Sequence, residues 1–277
     1  MRAAAIQMNS TADVDGNLAV AERLVRAAAA DGADFVVLPE KWSALGPGDV
    51  LTELAEPLDG TVVSAARGWA RELGIGLLAG SFGERLEEGD RIGNTSVLID
   101  RDGEIEAVYR KIHMFDVEVG GVTYRESEHE LAGEEIVTAA CGGLVVGMTI
   151  CYDLRFPELY RILALRQATV VTVPSAFTAA TGRDHWEVLV RARAIENQLF
   201  VVAADQSGRA EPEFDSWGHS MIVDPWGRVL DSIADGEGHA VADLDLGELD
   251  RIRERLPSLA SRREGAYSWP VEVGGNA

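Results

Sequence analysis

The feature that most restricts the fold is a series of short, predominantly apolar segments alternating with stretches of helical spacing. Residues 3–8, 35–38, 75–79, 144–150, 168–173 and 199–204 are such segments. A strand covered on both faces reads in this way, as a continuous apolar run rather than an alternation. Between them lie helical patterns. Leu18, Ala21, Val25 and Ala28 share a face, with Asp15 in the N-cap region and Gly32 past the end. Residues 61–73 form a second helix, closed by Gly74. Pro157 opens a third over 158–166, and residues 183–198 a fourth, with Val188, Leu189, Ala192 and Ile195 on one face. Residues 246–256 supply the last. Strands that alternate with helices predict a layered α/β fold.

Turn chemistry fills in the rest. Asp102-Gly103 joins strands at 94–99 and 104–110, and residues 224–227 join strands at 220–223 and 228–233. A late strand falls at 239–244. Residues 113–133 lack periodicity and are rich in Glu and Gly, which predicts a long functional loop. Residues 257–277 read as an extended tail. Residues 30–40 and 167–175 both run from a helix end through an apolar strand into proline and a polar residue, as in a duplicated α/β unit. With no linker in sight, residues 1–277 are expected to form one domain.

The net charge of −21 argues against nucleic-acid partners and anionic membranes. An anionic substrate would need local cations. The two cysteines, Cys141 and Cys151, form no metal-ligand pattern and no disulfide framework, which suits a reducing compartment. Neither a signal peptide nor a membrane span is legible, so a cytoplasmic protein is expected.

Three polar residues stand at the ends of strands: Glu40, Lys111 and Cys151. Ligands of layered α/β sheets bind beyond the carboxyl ends of strands. Singly, Glu40 reads equally as a solvated acid, Lys111 as a surface cation and Cys151 as a small core hydrophobe. Together they supply a thiol hydrolase. A carboxylate can take the thiol proton, a thiolate can attack a carbonyl, and an ammonium can hold the oxyanion. The backbone N–H of Tyr152, next after the cysteine, is a second oxyanion donor.

Leu-Pro-Glu at 38–40, Tyr-Arg-Lys-Ile-His at 109–113 and Cys-Tyr-Asp-Leu-Arg-Phe-Pro-Glu at 151–158 resemble, in order, the three catalytic motifs of the nitrilase superfamily of carbon–nitrogen hydrolases. Phe115-Asp116-Val117, Tyr124-Arg125-Glu126-Ser127, Pro174-Ser175-Ala176-Phe177, His185-Trp186-Glu187, residues 191–196, Trp217-Gly218-His219-Ser220 and residues 224–227 are similar to the branch containing ω-amidase and deaminated-glutathione amidase. The resemblance implies a four-layer α-β-β-α sandwich and a Glu-Lys-Cys triad. It also implies no cofactor or metal, and a homodimer or higher homo-oligomer in which the tail makes contacts. It marks Glu126 as a second active-site glutamate that orients Lys111. Arg155 is expected to hold a substrate carboxylate, its alternative being an ion pair with Asp153 or Glu158. Phe177 and Thr181 are expected to line the acyl pocket. His185 is a packing or capping residue near the site, and Glu196, Trp217 and Trp226 are structural.

The function so implied is hydrolysis, through a thioester, of a small carboxylate-bearing amide to acid and ammonia. The ω-amide of an α-keto acid and deaminated glutathione are the expected substrates. An N-carbamoyl amino acid amidohydrolase or a nitrilase is the alternative among enzymes. A papain-like Cys–His enzyme would leave Glu40 and Lys111 without a role. Outside the enzymes, the alternative is a metabolite-binding scaffold, which has no need of all three polar residues.

Overall fold

The computed structural model of the chain describes residues 1–87, 89–210 and 214–268. It opens with strand β1 (Arg2–Gln7), helix α1 (Val14–Ala30), strand β2 (Phe35–Val37), the short helix α2 (Gly48–Glu53), helix α3 (Thr61–Leu73) and strand β3 (Gly76–Leu78). Strands β4 (Phe82–Glu84), β5 (Ile92–Ile99), β6 (Ile105–Arg110), β7 (Asp116–Val119), β8 (Val122–Arg125) and β9 (Glu130–Leu131) follow. The second half runs through β10 (Thr138–Cys141), β11 (Leu144–Met148), α4 (Pro157–Leu165), β12 (Val170–Ser175), α5 (Ala179–Asn197) and β13 (Phe200–Asp205). It closes with β14 (Ser207–Ala210), β15 (Phe214–Trp217), β16 (Met221–Val223), β17 (Val229–Ser232), β18 (Gly238–Asp243) and α6 (Leu246–Arg255).

Two sheets carry the fold. The first has the order β18-β1-β2-β3-β5-β4, with β6 and β9 also pairing to β5. The second has the order β10-β11-β12-β13-β16-β17. Strands β1, β2 and β3 are parallel to one another, and so are β11, β12 and β13. Each half is thus a βαβαβ unit, the duplication that the echo of 30–40 in 167–175 implies.

The alternation of side chains along each strand assigns the layers. Ala4, Ile6, Val36 and Leu38 pack with Leu24 and Val25 of α1 and with Val63, Ala66 and Trp69 of α3. Their sequence neighbours Ala3, Ala5, Phe35 and Val37 belong instead to the core of the second sheet. Leu159 and Leu163 of α4 and Trp186 and Val190 of α5 cover that sheet. The order is helix, sheet, sheet, helix: the four-layer sandwich expected from the motifs. Each large side chain so buried stabilises by about 1.5–3 kcal/mol.

Several boundaries differ from the sequence reading. The N-cap of α1 is Asp13, whose carboxylate accepts from Gly16 N, while Asp15 lies in the first turn. Strand β12 continues through Pro174 to Ser175, because its ladder with β11 ends at Thr172 and the missing N–H of Pro174 faces no neighbour there. Helix α5 begins at Ala179, and the face of Val188, Leu189, Ala192 and Ile195 is only partly covered: Leu189 packs against the core, but Val188 and Ile195 are 66% and 50% exposed. Trp186, Val190, Arg193, Ala194 and Asn197 are buried instead. Two polar side chains can lie inside because Arg193 donates to Leu154 O and Asn197 to Arg193 O.

The stretch 113–133 is not a plain loop. It holds the β7–β8 hairpin, whose two-residue turn sets Gly120 and Gly121 at φ 61° and 81°. Of the tail, residues 257–268 are described and include a 3₁₀ turn at Glu264–Ala266; residues 269–277 lie outside the described residues. Among the described residues no helix is long and apolar enough to cross a membrane.

Candidate active site

Glu40, Lys111 and Cys151 are delivered by three strands. Glu40 follows β2, and Gln206 Nε2 donates to its backbone carbonyl at 2.9 Å. Lys111 follows β6, and its N–H donates to Asn94 O at 2.9 Å. Cys151 lies three residues beyond the end of β11, at φ 45°, and opens a 3₁₀ turn over Cys151–Arg155 that runs into α4. A left-handed backbone at a cysteine is strained, and it persists because the surroundings fix it.

Asp153 does that fixing. Fully buried, it accepts from Ile150 N at 2.9 Å, Tyr109 Oη at 2.6 Å and His113 N at 3.2 Å, with the His113 ring at 2.7 Å. The Arg193 guanidinium holds the other side of the turn through Leu154 O at 2.9 and 2.7 Å. Glu196 pairs with Arg193 at 2.8 Å, a structural role.

The three polar groups meet in one buried cluster. Lys111 Nζ donates to Glu40 Oε1 at 3.0 Å and to both oxygens of Glu126 at 2.9 and 2.8 Å. Glu40 also accepts from Asn94 Nδ2 at 2.9 Å and Ala176 N at 2.8 Å. The Cys151 thiol lines the same cavity wall as Glu40 and Lys111 and lies within the field of both. Glu126 is further held by Phe115 N at 2.7 Å.

Burial pushes the Cys151 thiol well above its ordinary range, and the Glu40 carboxylate adds to this, outweighing Lys111. The cysteine therefore rests as a thiol, and its deprotonation requires a base. Burial disfavours the charge of Lys111, yet Glu126 and Glu40 overcome that and keep it an ammonium. Burial likewise opposes ionisation of Glu126, but Lys111 and Lys41 hold its carboxyl far below the usual range.

Above the cluster opens a cavity of about 490 Å³. Arg155, Phe177, Thr181 and Tyr152 line it together with Glu40, Lys111, Glu126 and Cys151. Every residue singled out from the sequence as catalytic or substrate-binding is brought to this one place. Arg155 forms no ion pair with Asp153 or Glu158: its guanidinium contacts Thr181 Oγ1 at 3.3 Å and His185 Nδ1 at 3.2 Å, 5.1 Å from the centre of the Phe177 ring. The N–H of Tyr152 belongs to the first turn after Cys151, where N–H groups lack partners inside the helix. Trp226 stands apart, 52% exposed. Among the described residues no group of three or more His, Cys, Asp or Glu side chains is arranged to hold a metal ion.

Four residues at the site escaped the sequence reading. Asn94 is polar within the wholly buried β5, a signal that could have found it. Asp153 and Lys41 each adjoin the site in the chain but read as surface charges. Glu130 sat in the stretch taken for a loop. A thiol, a base, an ammonium and a cation-lined cavity can together perform acyl transfer from a small amide.

A model of the carbon-nitrogen hydrolase family matches residues 2–254. The chain is 43% identical to the deaminated glutathione amidase of Rattus norvegicus, over 95% of this chain and 83% of that protein. It is 40% identical to the deaminated glutathione amidase of Synechocystis sp., over 94% of this chain and 97% of that one. Among solved structures, Saccharomyces cerevisiae Nit3, described as a member of branch 10 of the nitrilase superfamily, superposes with a TM-score of 0.86 at 29% identity. The match covers 95% of this chain and 96% of Nit3.

Proposed function

The chain belongs to the carbon–nitrogen hydrolase family and is an amidase, and we propose that it cleaves small amides that carry a carboxylate, deaminated glutathione or the ω-amide of an α-keto acid. The observation that carries the reading is that Glu40, bonded to the Lys111 ammonium at 3.0 Å, shares the cavity wall with the Cys151 thiol.

Glu40 takes the thiol proton as sulfur attacks the amide carbon. Lys111 Nζ and Tyr152 N–H hold the oxyanion. Glu40 passes its proton to the leaving nitrogen, the C–N bond breaks and ammonia departs, leaving a thioester. Glu40 then deprotonates a water that attacks the thioester, and the proton returns to sulfur as the acid leaves. Glu126 keeps Lys111 aimed. Arg155 pairs with the substrate carboxylate in place of Thr181 and His185, while Phe177 and Thr181 shape the acyl pocket. The amidase acts as a homodimer, supported by the exposed apolar residues of α5.

Ammonia release across α-ketoglutaramate, deaminated glutathione, carbamoyl amino acids and simple nitriles tests the reading. The first two should be turned over and Cys151→Ala should release nothing. Ammonia with carbon dioxide from a carbamoyl compound alone, or turnover of a nitrile alone, would replace it. Arg155→Ala should raise KM for the carboxylate-bearing amides ten- to a hundredfold, roughly the 1.5–3 kcal/mol of a charged hydrogen bond.

A further inference from the structure

Lys41 follows Glu40 directly and has no part in the chemistry above. Its backbone is left-handed, at φ 54°, a conformation that a lysine seldom adopts. Ser81 Oγ accepts from its N–H at 3.0 Å and helps hold it there. The consequence is a lysine turned inward: its side chain is 14% exposed. Its ammonium lies 2.7 Å from Glu130 Oε1 and 3.3 Å from Glu126 Oε1. Glu130 is itself 3% exposed, and its second oxygen, Oε2, has no hydrogen-bond partner.

Five charged side chains thus form one buried chain: Glu40, Lys111, Glu126, Lys41 and Glu130. Glu126 is the link. Both of its oxygens face Lys111, and one is shared with Lys41. Two carboxylates this close and this buried repel unless a cation stands between them. We propose that Lys41 and Glu130 are positioning residues, a second ion pair that holds Glu126 square to Lys111 and so sets where the catalytic ammonium points. Burial and Glu126 push Glu130 up to about 7, and Lys41 pulls the other way without fully offsetting them. The charged groups around it are Lys41, Glu126 and Lys111, with Glu128 and His129 lining the same cavity. Without Lys41, Glu126 and Glu130 would compete for the Lys111 ammonium, which would leave its place beside Glu40.

The inference rests on the amidase reading of the site, and the test separates the two. Lys41→Met should lower kcat on the best amide of the panel at least tenfold with KM within threefold. The double variant Lys41→Met/Glu130→Gln, which removes cation and anion together, should regain most of that loss. Alkylation of Cys151 by iodoacetamide needs no substrate, so it reads the pair even if no amide is turned over. It should slow at least threefold in Lys41→Met and recover in the double variant. Unchanged kcat and alkylation in Lys41→Met would overturn the proposal. So would a rise in KM alone, which would make Lys41 a direct substrate anchor. If Lys41→Met does not fold, the double variant decides: kcat within about tenfold of the parent supports positioning, and a folded protein slower than that refutes it.

Discussion

Cys151, Glu40 and Lys111 were legible because each stands at the end of a strand, where a layered sheet exposes side chains to ligand. Asp153 was not. It sits two residues beyond the nucleophile and reads as a solvated acid, or as a partner for Arg155. Its burial depends on Tyr109 of β6 and on His113 just beyond that strand, 44 and 40 residues away in the chain. No local pattern announces such a convergence. Tyr109→Phe removes one donor and leaves a buried carboxylate oxygen less satisfied. The expected cost is about 1–3 kcal/mol, seen as a lower midpoint in urea, with a fall in kcat as the strained turn at Cys151 relaxes. Glu130 offers a second residue-scale test. Its folded pKa of about 7 lies above its unfolded value, so it binds its proton more tightly in the folded state. Its contribution is present at low pH and is lost as pH rises through about 7. The Tm of the parent should therefore fall between pH 5 and pH 8 more steeply than that of Glu130→Gln. Parallel curves would show that Glu130 does not titrate there.

At the scale of elements, the helices and central strands followed from periodicity, whereas the β7–β8 hairpin did not. Its signal was present. Val117, Val119, Val122 and Tyr124 alternate with polar residues on either side of Gly120-Gly121. Half-buried strands carrying Asp, Glu and Arg on their outer face were masked by their composition. The hairpin matters because its two ends enter the site: Phe115, just before it, bonds Glu126, just after it. Ser127 closes the same junction through Asp116 at 3.0 and 2.5 Å. Gly121→Ala isolates the turn, since a Cβ there meets nothing within 4 Å and only the backbone, at φ 81°, resists. The strain of about 1–2 kcal/mol should loosen the hairpin locally. We expect kcat to fall several-fold with little change in Tm; a loss of Tm without loss of kcat would place the hairpin's role in the fold alone.

At the scale of the molecule, the duplicated unit explains why one cavity collects residues from so many strands. Two mixed sheets stacked face to face, each with three parallel strands at its centre, bring the carboxyl ends of β2 and β11 together, one supplying the base and the other the nucleophile. The same architecture turns α5 outward. Periodicity could not decide which of its two apolar faces lies inside, because the inner one is completed by Arg193 and Asn197, polar residues whose hydrogen bonds are made only in the fold. The outer face keeps Val188 and Ile195 in water, and Trp226 and Leu230 beyond it are 52% and 41% exposed. The turn that carries Trp226 packs beside Ile195, since a Cβ on Gly227 would lie 2.5 Å from Ile195 Cδ1. Exposed apolar surface of this kind marks an interface, and a second copy of the chain is the partner we propose. Two chains of net charge −21 repel, so the association should depend on salt to screen them. Light scattering at moderate salt should give about twice the chain mass of 29.8 kDa. Dilution into low salt should shift the parent towards monomer. Ile195→Glu, which adds another negative charge to the patch, should be monomeric at every salt concentration while keeping its fold. A dimer that survives both treatments must be built on a different face.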